Sequence, residues 1–358
     1  MMKTQVVSIQ VLRGIAALLV VIAHVIEHPL KQDPVAALIT GRFGVEIFFV
    51  ISGFIIAFVA GAGSFEPRSF VIRRFMRVAP IYWLCTLLVF ALAFVAPALF
   101  KTTVADVGHL LKSLAFIPSA DPTNPTDWRP LFKLGWTLNY EIFFYLVMAL
   151  LFWCDSSRQR AILLTAIMSA LMVASFFVTP RGSLFAFYAN LNLLPFVCGV
   201  WLAELRGAGH FERGGPKTAM LATAIAVVLT LVLYQQEFRS LTQPVGHVIM
   251  TAAAVAIVAA GLLYERYARD GHLFGLRTVG DASYSLYLTH MFVIGAAWAV
   301  MQKLGFHGVA AVIGGAVTVL VCVIVAILSF RVVEEPFNRL GRRLISNGKR
   351  KSGVTAPA

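Results

Sequence analysis

Charged side chains are few in this 358-residue chain: they make up 13% of it, against 59% hydrophobic residues and a mean hydropathy of +0.81. A composition so far from that of soluble globular proteins excludes that class. Cysteine is equally sparse. Cys85, Cys154, Cys198 and Cys322 fall in or beside apolar runs without metal-like spacing, so they read as buried thiols and leave the redox compartment open. Asp and Glu number 17 beside 30 Lys and Arg, a formal charge of +13. The bases gather in short loops between apolar segments, so membrane topology accounts for them and no nucleic-acid partner is needed. No internal repeat is present, which speaks against an inverted-repeat transporter. The first apolar run has no small-residue cleavage site and carries Arg13 and His24, so it reads as an uncleaved helix. No linker is long enough for a soluble domain. The longest, about 99–133, is punctuated by Pro118, Asp121, Pro122, Pro125, Asp127 and Pro130 and reads as an outer loop or small cap.

What the chain has in abundance is apolar length. Stretches near bilayer thickness lie at roughly 8–27, 43–62, 78–98, 134–153, 161–178, 184–204, 218–234, 245–264, 280–302 and 308–332. They predict an all-α, polytopic integral membrane protein of ten transmembrane helices, with residues 1–340 as one transmembrane domain. The segment around 105–117 is too short and polar to span and reads as an interfacial helix. An even count puts both termini on one side, and the basic loops make that side the cytoplasm. The stretch GRRLISNGKRKSGVTAPA, 341–358, is expected to be a basic, disordered cytoplasmic tail.

Against this background each ionisable residue within a span demands a reason, because burying a charge at the bilayer centre costs at least a few kcal/mol. Arg13 and His24 share the segment VLRGIAALLVVIAHV, and the step between them rises about 16 Å over three helical turns, placing them on one face at different depths. With the N-terminus inside, Arg13 lies in the inner half and His24 near the outer end. Glu46 in GVEIFFVISGF and Glu141 in WTLNYEIFFYL are expected in the same outer half. A histidine with carboxylates nearby suits general-base chemistry, since a carboxylate fixes the imidazole tautomer and balances the imidazolium. The inner face carries Arg68, Arg73, Arg74 and Arg77 in RSFVIRRFMRVAPIYW, with Arg73 and Arg77 one turn apart. Arginine forks suit phosphate, and positive-inside anchoring is the competing explanation for the same cluster.

Six pieces in order, QVLRGIAALLVVIAH, GRFGVEIFFVISGF, RRFMRVAPIYW, WTLNYEIFFY, GDASYSLYLTH and VEEPF, span residues 10 to 337. Together they resemble the membrane-bound acyltransferase 3 family in its stand-alone form, without a fused extracytoplasmic hydrolase-like domain. Among its branches the similarity is greatest to exopolysaccharide-acetylating proteins of Gram-negative bacteria. The resemblance implies transfer of an acyl group, most often acetyl from acetyl-CoA, to a hydroxyl of a glycan or glycolipid at a bacterial inner membrane. It makes His24 the expected catalytic residue, with Glu46 and Glu141 as its acidic partners. Glu46 stands where many relatives carry Asp, and Asn139 departs from the usual small or acidic neighbour of Glu141. Arg13, Arg73, Arg74 and Arg77 are the expected donor contacts, and Trp136, Tyr140, Tyr284, Tyr287 and His290 the expected pocket residues. No metal and no bound cofactor are expected; acyl-CoA is a substrate, the lipid bilayer the surroundings, and the oligomeric state is open.

These readings join in one route. CoA would hold its phosphates on the inner arginines and thread its pantetheine arm between helices to His24, which would deprotonate the acceptor hydroxyl or carry the acyl group itself. The alternative from another class is an exporter or flippase for a lipid-linked glycan, because intramembrane charges also mark transport paths.

Overall fold

The computed structural model of the chain describes residues 6–28, 30, 33–63, 65–100, 102–177, 183–234, 244–268 and 274–351, and these are almost entirely helical. In chain order the helices are α1 (Val7–Glu27), α2 (Pro34–Ala60), α3 (Pro67–Val95), α4 (Val107–Leu114), α5 (Trp136–Leu150), α6 (Ser157–Ala174), α7 (Leu184–Tyr188) and α8 (Leu194–Gly207). They continue with α9 (His210–Arg213), α10 (Pro216–Tyr234), α11 (Pro244–Leu263), α12 (Glu265–Ala268), α13 (Phe274–Asp281), α14 (Ser283–Lys303), α15 (Gly308–Ser329) and α16 (Glu335–Lys351). A π-helical turn, Phe330–Glu334, precedes α16.

Seven helical stretches among the described residues are long and apolar enough to cross a membrane: Val7–Glu27, Pro34–Ala60, Pro67–Val95, Pro216–Tyr234, Pro244–Leu263, Ser283–Lys303 and Gly308–Ser346. The chain is a polytopic, all-α membrane protein. The other three expected spans come out shorter or more polar. The 134–153 interval holds a helix of 15 residues, about 22 Å against a hydrocarbon core of about 30 Å. The 161–178 interval becomes α6, whose first turn takes in Arg158 and Arg160. The 184–204 interval is broken into α7, a 3-10 turn at Leu191–Leu193 and α8, at a point where Asn190, Asn192 and Pro195 interrupt the apolar run.

The helices divide into two compact units, Met1–Val59 with Leu191–Leu328, and Ala60–Asn190 with Ser329–Ala358. The chain passes between these units three times.

In the first unit α1 needs an external cap, because Val6 offers no side chain to its free N–H groups. Glu265 supplies it: its carboxylate accepts from Val7 N at 3.0 Å, Ser8 N at 2.8 Å and Ser8 Oγ at 2.6 Å. Small residues let these helices meet backbone to backbone. A Cβ on Gly280 of α13 would lie 1.8 Å from Gln10 O on α1, and one on Gly199 of α8 would lie 2.0 Å from Val50 O on α2.

In the second unit Glu66 caps α3, accepting from Arg68 N at 2.9 Å and Ser69 N at 2.6 Å, with Pro67 in the first turn where no N–H is missed. Tyr82 and Trp83 of α3 donate to Ser113 O (3.1 Å) and Leu114 O (2.8 Å), tying the short helix α4 to α3. Beyond α4 the loop folds on itself. The Arg129 guanidinium forks onto Asp127 at 2.8 and 2.7 Å, and Lys133 Nζ lies 3.3 Å from Asp127 and 3.7 Å from Asp121. Residues 341–351, expected to be disordered, continue α16 instead. Gly341 packs there against Met76 of α3, and Arg339 pairs with Glu335 at 2.6 Å. Residues 352–358 lie outside the described set.

Candidate active site

In the first unit the last turn of α1 carries His24, Glu27 and His28 on one face, as the i, i+3, i+4 spacing requires. His24 Nδ1 stands 3.4 Å from Glu27 Oε2, and the His28 ring stacks on His24 at 6.2 Å between centroids. His290 of α14 also stacks on His24, at 5.2 Å with 28° between the ring planes. His290 is fully buried. Its Nδ1 donates to Leu286 O at 3.1 Å, which makes Nε2 the unprotonated nitrogen, and that atom has no hydrogen-bond partner. Tyr287, buried one turn before, lies 6.1 Å from His290 and edge-on to Phe48; Tyr284 is buried on the same helix. The pair His24–His290 is thus assembled from the first and fifth of the sequence pieces named above.

Glu46 sits elsewhere in this unit, with partners of its own. It is buried on α2, accepts from Thr251 Oγ1 at 3.1 Å, and has His247 Nε2 3.3 Å from its other oxygen, close but not aligned for a hydrogen bond. Arg42, one turn before Glu46, brings its NH2 to 3.5 Å from His247 Nδ1. Sequence reasoning missed His247 and Thr251, although a His and a Thr one turn apart in the apolar segment PVGHVIMTAAA were a signal. The carboxylate beside His24 is Glu27, not Glu46. Arg13 is buried near the start of α1, donates to Gln10 Oε1 at 2.8 Å, and through Gln10 Nε2 reaches Asp281 at 3.0 Å.

The second unit gathers Glu141 with the arginines. Helices α3 and α5 run antiparallel, with Gly135 against Tyr82 at one level and Phe70 edge-on to Tyr145, 6.4 Å apart, at the other. Glu141 lies between these levels and accepts a hydrogen bond from the Tyr145 hydroxyl. The Arg74 guanidinium stands 5.8 Å from the Phe70 ring and 5.9 Å from the Tyr145 ring, and the charges of Glu141, Arg77 and Arg73 all act on it. Its Nε is buried without a partner, while Arg73 is exposed and Arg77 half-buried. Glu141, expected as a partner of His24, therefore belongs electrostatically with the basic cluster of this unit. Trp136 and Tyr140 form an aromatic group with Phe187 and Tyr188, Tyr140 donating to Phe187 O at 2.5 Å. Beside them Asn139, passed over as a neutral departure, is fully buried with both amide atoms unpartnered.

The molecule is thus a helical membrane protein with a stacked imidazole pair, one ring buried, in one unit and a half-buried arginine cluster in the other. The acyltransferase domain of the acyltransferase 3 family matches residues 6–327, and the chain belongs to that family. It is 31% identical to the exopolysaccharide production protein ExoZ of Rhizobium meliloti (strain 1021), over 84% of this chain and 91% of that one. It is 27% identical to the acyltransferase MdmB of Streptomyces mycarofaciens, over 98% and 94% of the two chains. The O-acetyltransferase OatA of Staphylococcus aureus (strain NCTC 8325 / PS 47) is 24% identical over 88% of this chain and 56% of its own length. No solved structure matches.

Proposed function

We propose that this acyltransferase moves an acetyl group from cytosolic acetyl-CoA to a hydroxyl of an exopolysaccharide precursor or lipid-linked glycan at a bacterial inner membrane. The observation that carries the reading is His24, an imidazole in the last turn of a membrane helix with a carboxylate and a second, buried imidazole beside it. In this scheme α5, α6 and the α7–α8 pair complete ten crossings, and both termini are cytoplasmic, the arrangement that keeps the basic loops inside. The phosphates of CoA meet Arg74, Arg73 and Arg77, with Glu141 and Tyr145 holding Arg74 in place; Arg13 is a further donor contact. His24 takes the acceptor hydroxyl proton, the alkoxide oxygen bonds to the thioester carbonyl carbon, the C–S bond breaks, and the thiolate leaves with the proton that His24 carried. An acyl group passing first to His24 gives the same products. Glu27 balances the imidazolium, and Glu46 holds Arg42 and His247.

The ExoZ relative, named for exopolysaccharide production, supports the acceptor class, and OatA, named an O-acetyltransferase, supports the acetyl group. Purified protein incubated with labelled acetyl-CoA and membrane glycolipids tests the reading, alongside mass spectrometry of surface glycans from cells with and without the gene. The expected result is labelled ester on the acceptor and a 42-dalton loss per site in the deletion strain. A protein that neither transfers nor hydrolyses acetyl-CoA, in cells whose glycans reach the surface only with the gene, would instead be an exporter.

A further inference from the structure

The end of α1 presents ligand atoms as well as a base. One atom each from His24, Glu27 and His28 lies within 4.8 Å of every other, and two histidines one turn apart on one helix face are the spacing that helical zinc sites use. Tetrahedral zinc with bonds of 2.0–2.1 Å needs its ligand atoms about 3.4 Å apart, so small side-chain rotations close the triad. A second observation stands independently of the cluster. His290, fully buried, has its Nδ1–H committed to a backbone carbonyl, and its Nε2 lone pair is left unpartnered beside the His24 ring. That is the arrangement in which metal-binding imidazoles are held, with one nitrogen donating to a carbonyl and the other free for an ion. An unpartnered buried acceptor is otherwise costly.

We propose that His24, Glu27 and His28 form a zinc site, with His290, outside that triad, as a further donor beside it, and that the ion, by occupying the one nitrogen lone pair of a neutral His24 imidazole, switches the enzyme off. Two imidazoles and a carboxylate, with a third imidazole beside them, are a nitrogen and oxygen set suited to zinc. The site departs from the expectation of no metal. Binding follows from the geometry of α1 and α14 alone; inhibition rests on the reading of His24 as the base, and the experiment separates the two.

Tag-free protein in detergent, stripped with EDTA, is titrated with ZnCl2 against a chromophoric chelator, and X-ray absorption at the zinc edge reports the ligands. The expected result is one ion per chain, a nitrogen and oxygen shell with imidazole scattering, and at least tenfold weaker binding in His28→Asn and Glu27→Gln. Both positions are exposed, so these variants keep the fold. Acetyl-CoA turnover should fall with zinc occupancy and return with EDTA. Sulfur in the shell, no ion at micromolar zinc, or undiminished binding in both variants would overturn the site. Stoichiometric binding that leaves turnover unchanged would overturn the switch and, with it, His24 as the base.

Discussion

Tyr145 donates a hydrogen bond to Glu141 while its ring lies 5.9 Å from the Arg74 guanidinium, so one tyrosine joins an acid and a base on two antiparallel helices. The acid then acts on the donor site through Arg74. Replacing Arg74 with Ala should raise the KM for acetyl-CoA roughly ten- to a hundredfold, the worth of a lost charge-assisted phosphate contact, with the acceptor KM little changed. Lys should rescue in part, because it cannot fork. Glu141→Gln should move the same constant in the same direction, and the double variant should fall short of the product of the two effects. Independent, multiplying losses would separate Glu141 from the arginines.

His24→Ala should bring transfer to background while the protein still elutes as wild type, because the imidazole is partly exposed and little apolar packing is lost. His290→Gln, which keeps a hydrogen-bonding side chain but removes the ring stacked on His24, should leave measurable but reduced turnover. Full activity in His24→Ala removes it as the catalytic residue.

Asn139 offers a test in which stability and activity part ways. Its two amide atoms are buried and unpartnered, so Asn139→Leu removes an unsatisfied group and should leave the melting temperature unchanged or higher. Turnover should drop if the amide meets substrate or an ordered water on the path. A variant both stable and fully active shows that the amide serves neither.

Packing between α1 and α13 predicts a sharp size limit. Gly280→Ala places a methyl 1.8 Å from Gln10 O, where only backbone movement can relieve it, and should cost about 1–3 kcal/mol or more. Gly295→Ala on α14, which meets nothing within 4 Å, is the matched control and should be neutral or slightly stabilising. Thermal unfolding in detergent distinguishes the two.

The 121–133 turn should be acid-resistant. Hydrogen bonds from Arg129 and its charge, aided by Lys133, hold the Asp127 carboxyl at about 2, below its ordinary 3.8. A carboxyl depressed in the folded state contributes stability that is fully present above its unfolded value and is lost as pH falls toward 2. Limited proteolysis of the loop should therefore stay flat down to about pH 4 and rise below it. Asp127→Asn should expose the loop at neutral pH.

Much of this was readable in advance, for reasons of distance along the chain. His24 was visible because an imidazole inside an apolar run is costly wherever it falls, Arg74 as one of four arginines before the third span, and the SYSLYLTH piece through the family resemblance. Glu27 sat three residues from His24 at the very end of the run, where an acid looks like an ordinary boundary residue. His247 and Thr251 were hidden because their partner, Glu46, lies some two hundred residues away. The link of Glu141 to Arg74 was hidden too: hydropathy marks where a segment is apolar, but the register of α5 against α3 is set by contacts such as Gly135 on Tyr82. The π turn and the helical α16 escaped for a similar reason, since α16 gains its stability from packing on α3 rather than from local propensity.

The cap that Glu265 places on α1 also sets an order of events during synthesis. Helix α1 is made well before its cap, since the carboxylate that binds Val7 and Ser8 is encoded 257 residues later than Ser8. At 5–20 residues per second the helix spends roughly 13–50 s with its terminal donors turned to water or lipid headgroups. Gly280, which seats α13 against Gln10, is made later still. The helix that carries the proposed base is therefore made long before it is docked, and a nascent chain stopped short of α12 holds His24 in a helix still loose in the bilayer.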